Sequence, residues 1–121
     1  IEMLASKNEV FQVLDGGGTD QVVAICKGSI VLLEKRMPGR ILREKKLMEI
    51  GFSDRMKAGI SDENILIGDK GGIIHKFDIE TLEKTDDISC NYSSHIFTVC
   101  CHPISGLVVT GDTEGNVVVW S

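Results

Sequence analysis

Apolar residues along this chain come in short runs separated by glycine-rich or charged turns. VFQVL at 10–14, QVVAIC at 21–26, SIVLLE at 29–34, NILIG at 64–68, IIHKFD at 73–78 and IFTVCC at 96–101 are each bounded by turn-forming residues. Runs of this length, rich in Val and Ile, predict β-strands. Two further segments, RILREKKL at 40–47 and EKTDDIS at 83–89, carry mostly charged side chains and read as exposed outer strands. A weaker inner strand is expected at Arg55–Ile60 (RMKAGI), closed by the turn SDEN. Only EKKLMEIGF at 44–52 has helical composition; it is shorter than ~10 residues and has a glycine near its end. The expected fold class is all-β.

Three segments repeat one layout: QVVAICKGSIVLLE at 21–34, NILIGDKGGIIHKFD at 64–78 and GLVVTGDTEGNVVVWS at 106–121. Each is a β-rich run, a short polar or glycine-rich turn, and a second apolar run. They end at Leu33-Glu34, Phe77-Asp78 and Trp120-Ser121. This spacing falls within the roughly 40–45 residues of a four-stranded propeller blade, and each period has room for two more strands. The chain is therefore read as a partial β-propeller of about three four-stranded antiparallel blades, at 8–47, 48–89 and 90–121. Ile1–Lys7 is a candidate outer strand, for the last blade or for one preceding the first. Propellers close with about four to eight blades. Two assemblies are expected. The chain, which begins at Ile1 without an initiator Met, is a piece of a larger propeller; or identical chains associate head to tail, two of them giving six blades.

The last repeat, SSHIFTVCCHPISGLVVTGDTEGNVVVWS, resembles a WD-repeat blade. A histidine (His95) precedes the first strand, and a turn of the type x-P-x-x-G follows it (Pro103, Gly106). Thr110-Gly111 ends the second strand, an acidic residue (Glu114) lies in the next turn, and Trp120 closes the third. A Trp packed between sheets must place its indole N–H on an acceptor. A hydroxyl can accept it and pass a hydrogen bond to an imidazole that a carboxylate orients. The resemblance assigns this structural chain to Trp120, Thr110, His95 and Glu114, with glutamate in place of the usual aspartate. The middle repeat departs from the pattern, with Ile67 in the hydroxyl's place, Gly71 in the acid's and Phe77 in the Trp's. The first has Leu33 at the Trp position and a shortened turn, Cys26–Ser29. A generic propeller or another repeated β architecture stays open for these two.

The turn DGGGTD at 15–20 occupies the place that HPISG holds two repeats later, which makes it an inner hairpin turn. It also resembles the first phosphate loop of the actin, Hsp70 and sugar-kinase ATPases. That resemblance implies, as the alternative function, nucleotide phosphate bound by Asp15 to Thr19. A chain of 121 residues is about one domain's worth, whereas those ATPases close two lobes on their nucleotide.

The remaining chemistry narrows the classes. A net charge of −5 argues against nucleic acid as a partner. No apolar run approaches the ~20 residues of a membrane span, and no signal peptide is evident. Six of the 13 basic residues fall in KRMPGRILREKK at 35–46, read as a solvated outer strand rather than an anion-binding patch. The four cysteines lack a C-x-x-C pair; adjacent Cys100 and Cys101 point to opposite faces of a strand and cannot easily serve one metal. Four reduced thiols indicate an intracellular protein, cytoplasmic or nuclear. His75 and His102 read as ordinary strand and turn histidines. No nucleophile and base are spaced for catalysis, so no catalytic residue, metal or cofactor is assigned, and the chain is read as a non-enzyme. The polar loop at 90–95, with Tyr92, is a candidate protein-binding loop. Together with the WD-like resemblance, these readings point to a protein-interaction scaffold within a larger complex.

Overall fold

The computed structural model describes residues 9–16, 20–34, 40–47, 56–61, 63–89, 94–102 and 104–120. Alternating apolar and polar residues, cut by turn chemistry, give eleven strands among them. These are β1 (Val10–Asp15), β2 (Gln21–Cys26), β3 (Ser29–Glu34), β4 (Ile41–Lys46), β5 (Gly59–Ser61), β6 (Asn64–Gly68), β7 (Ile73–Asp78), β8 (Lys84–Ser89), β9 (Ile96–Cys101), β10 (Val108–Asp112) and β11 (Val117–Trp120). They form three antiparallel sheets in the orders β1-β2-β3-β4, β5-β6-β7-β8 and β9-β10-β11. Every strand pairs with its sequence neighbour, so each sheet is a meander and no crossover is needed. The all-β expectation holds, and EKKLMEIGF starts inside β4, with residues 48–52 outside the described set. Ile1–Lys7, offered as an outer strand, also lies outside it.

Both faces of a middle strand are apolar because sheets stack face to face. Val23 and Ile25 of β2 and Ile30 and Leu32 of β3 meet Ile65, Ile67 and Phe77 of the second sheet, with Met56, Ala58, Ile79 and Leu82 completing this seam. Burial of each such side chain stabilises by roughly 1.5–3 kcal/mol. The other face of the second sheet, Leu66 and Ile74 with Ile88, packs on Ile96, Val99, Cys101, Val108 and Trp120 of the third. On the far side of the first sheet, Ala24, Cys26 and Val31 form a small buried cluster with Leu33 against it. The outer strands β4 and β8 are largely solvent-exposed, as their charge predicts.

The inner strand of the second sheet differs from the expected Arg55–Ile60. β5 covers only Gly59–Ser61, and Lys57 instead makes a parallel bridge to Thr98, its N–H donating to the Phe97 carbonyl at 2.9 Å. The backbone there bonds to the neighbouring sheet rather than to β6. One seam earlier, Gln12 Oε1 accepts the Ala58 N–H at 2.7 Å, so hydrogen bonds tie the inner strands across both seams.

Candidate functional site: the aspartate turns and the sheet seams

Two turns at one end of the stack share a construction that Gly68-Asp69 and Gly111-Asp112 announce in the sequence. In the β6–β7 turn, Asp69 Oδ1 accepts the N–H groups of Gly71 (2.8 Å) and Ile73 (2.9 Å), and Gly72 takes φ +84°. In the β10–β11 turn, Asp112 Oδ1 accepts those of Glu114 (2.9 Å) and Asn116 (2.8 Å), and Gly115 takes φ +85°. A short carboxylate that captures the N–H groups two and four residues on replaces bonds the turn cannot make with itself. Asp112 Oδ2 also accepts from Asn116 Nδ2 at 3.0 Å. The β2–β3 turn has only Lys27 and Gly28, with Gly28 at φ +78° and no aspartate.

Asp69 does more than close its turn. Its carbonyl accepts the Ile96 N–H at 3.0 Å, which fixes the third sheet to the second. Its Oδ2 lies 2.6 Å from His75 Nε2, and both groups are buried. The other ring nitrogen, Nδ1, is 3.0 Å from Asp87 Oδ1 on β8, and Lys84 Nζ is 2.8 Å from that same oxygen. Burial works to raise the Asp69 pKa, but the His75 bond and the Ile73 and Gly71 N–H groups outweigh it and hold it below the usual carboxylate value. At Asp112 the Asn116 N–H leads in lowering the pKa, against desolvation.

The structural chain assigned to the last repeat is brought together in part. Trp120 Nε1 donates to Thr110 Oγ1 at 2.9 Å, with Thr110 buried. His95 stands beside the β10–β11 turn, its carbonyl accepting the Thr113 N–H at 3.1 Å, but its buried Nε2 takes no hydrogen bond among the described residues. Glu114 is exposed and supplies its backbone N–H; the carboxylate that organises this turn belongs to Asp112, two residues earlier. The shorter, earlier side chain bonds back into its own turn. In the middle repeat, where Gly71 takes the acid's place, the carboxylate that closes the turn is likewise two residues earlier, Asp69, and the apolar Ile67 and Phe77 sit beside a buried Asp69–His75 pair. The repeated Gly-Asp dipeptide was the available signal for both aspartates, whereas His75 carried none until β7 aligned with the turn.

Other expected features are placed more simply. Gly16 N–H donates to the Gln21 carbonyl at 2.9 Å, so DGGGTD spans the β1–β2 hairpin; Asp15 and Asp20 are exposed, and residues 17–19 lie outside the described set. His102 Nδ1 accepts the N–H groups of Ile104 (3.3 Å) and Ser105 (3.1 Å), a turn role. Tyr92 lies outside the described residues. Cys26, Cys100 and Cys101 are free thiols; burial, with Cys100 alongside, pushes Cys101 up to about 11. No group of three or more His, Cys, Asp and Glu side chains is set to hold a metal among the described residues. No helix among them is long and apolar enough to cross a membrane.

No protein-family profile and no curated protein matches the chain. Solved structures do. The crystal structure of the RRP9 WD40 repeats superimposes with a TM-score of 0.78 at 13% identity, over 96% of this chain and 36% of that one. The structure of U3-55K gives 0.76 at 12% identity over 96% and 37%. The Cps50 (Swd1) β-propeller domain of Myceliophteria thermophila gives 0.72 at 12% identity over 98% and 37%. The fold is thus that of a WD40-like β-propeller, of which this chain forms three sheets. It spans little more than a third of the length of these propellers. The actin-like ATPase alternative finds no support among them.

Proposed function

We propose that the chain acts as a protein-interaction scaffold, a rigid part of a WD-repeat-like propeller that presents its turns to protein or peptide partners in a larger complex. The observation that carries this reading is the pair of aspartate-locked turns. Each holds its backbone by carboxylate bonds of 2.8–2.9 Å, and each is tied to the inner strand of the third sheet through Ile96 or His95. Turns that are fixed before binding lose little conformational freedom on association. The exposed Lys57, Lys70 and Glu114 stand at this end and supply the polar rim that partner surfaces use. On this reading the chain has no reaction of its own, and its partners are proteins rather than nucleic acid or lipid. Its free thiols suit an intracellular setting.

Photo-crosslinking residues at Lys70 and Glu114, compared with Glu80 and Ser105 at the opposite end, test the proposal. Protein adducts are expected to concentrate at the first pair and to disappear in Asp69→Ala, which releases the turn. Adducts distributed equally between the ends, or none at all, would refute it.

A further inference from the structure

We infer that His75 is a positioning residue for the β6–β7 turn, through which the outer strand β8 holds the Asp69 carboxylate in its turn-closing orientation. The two aspartate turns differ at the second carboxylate oxygen. In both, Oδ1 accepts the N–H groups two and four residues on. In the β10–β11 turn, Oδ2 is taken by a side chain of the turn itself, Asn116 Nδ2 at 3.0 Å. The corresponding residue of the β6–β7 turn is Ile73, which has no side-chain donor.

His75 supplies the missing donor from β7. Its Nε2 lies 2.6 Å from Asp69 Oδ2, and because a carboxylate only accepts, Nε2 carries the hydrogen and donates. Asp69 and His75 are both buried, so the bond is charge-assisted and shielded from water. A carboxylate fixed at both oxygens has one orientation left, the one that meets the Gly71 and Ile73 N–H groups. Val118 stands where the last repeat would carry this histidine, opposite Thr110 as His75 is opposite Ile67. With Asn116 in its turn, that repeat needs no donor from the strand.

The ring is in turn flanked from the outer strand. Asp87 is the direct partner of His75 in the β7–β8 ladder, its Oδ1 lies 3.0 Å from Nδ1, and Lys84 Nζ holds that oxygen at 2.8 Å. The Asp87 side chain is 47% exposed and that of His75 6%. These contacts run from solvent at β8 to the buried side of the turn, so a group that engages Asp87 acts on Asp69 through the imidazole. The consequence for partner binding rests on the scaffold reading; the placement of the turn itself does not.

Amide hydrogen exchange on the whole chain, followed by NMR without a partner, tests the inference. In His75→Val the Gly71 and Ile73 amides are expected to exchange about tenfold faster, as for loss of one charge-assisted bond, while those of Glu114 and Asn116 keep the parent rate. Adding Ile73→Asn, which copies the last turn, is expected to restore the Gly71 rate. Asp87→Ala, at a half-exposed position, is expected to speed Gly71 and Ile73 about threefold, and it decides the matter if His75→Val does not fold. Equal acceleration of all four amides, no recovery in the double variant, or a parent rate at Gly71 in Asp87→Ala would each overturn the inference. Faster Gly71 exchange with Lys70 adducts unchanged would support it and count against the docking role of the turn.

Discussion

Gly68→Ala tests how closely the second and third sheets must approach. The added Cβ would fall inside the contact distance of Ile96 Cγ2 and Cβ and lie 3.0 Å from the Ile96 carbonyl oxygen. Ile96 has little room to yield. Its β-branched side chain is stiff at χ1, it is buried, and its N–H is held by the Asp69 carbonyl at 3.0 Å. Overpacking a well-filled seam costs roughly 1–3 kcal/mol, and contact with both side chain and carbonyl places this substitution at about 3 kcal/mol. For a chain of this size the loss corresponds to a fall in Tm on the order of 10 °C. The single Trp, Trp120, packs in the same cluster and reports the transition by fluorescence during urea unfolding. Ile96→Ala alone costs about 2–5 kcal/mol as a cavity, but part of that cavity accepts the new methyl. The double variant is therefore less destabilised than the two single changes together. A Gly68→Ala chain within about 0.5 kcal/mol of the parent, or additive behaviour in the cycle, would refute the close-approach argument.

Two further outcomes are expected. Trp120→Phe removes the indole donor of the 2.9 Å bond to Thr110 and lowers stability by about 1 kcal/mol. Adding Thr110→Val recovers most of that loss in the same urea assay, because the stranded hydroxyl is removed with its partner. Stability should also fall in acid. Asp69 and Asp112 have lowered pKa values when folded, so the unfolded chain takes up protons first. Their contribution is fully present above the unfolded value of about 3.9 and is lost as pH falls from there through the lower folded values. Thermal melts between neutral pH and pH ~3 should show this fall, and Asp69→Asn should flatten it; an identical profile in the variant would count against the carboxylate's role.

Strand positions were legible because the spacing of apolar runs and turn residues is a local property. Gly16, Gly28 and the Lys70–Gly72 turn punctuate the chain where the strands end. The charged composition of RILREKKL and EKTDDIS was enough to place them outermost. Arg55–Ile60 was less legible, since a strand whose hydrogen bonds go to the next sheet follows that sheet's geometry rather than its own pattern. At the turns, the WD-like resemblance put the acid at Glu114, and strand position made His75 an ordinary histidine. Choosing between Glu114 and Asp112 depends on which side chain points back into the turn. The environment of His75 depends on β7 and β8 lying side by side.

What the sequence determined by itself is the all-β class and the repeated layout of strands and turns, since both follow from period and composition along a few neighbouring residues. Tertiary structure alone decided which glycine marks a seam and which carboxylate closes a turn. Gly68 and Gly111 occupy equivalent places, yet only Gly68 has Ile96 against it. That difference lies in the adjacent sheet and not in the residues that flank either glycine, because seam packing joins segments far apart in the chain.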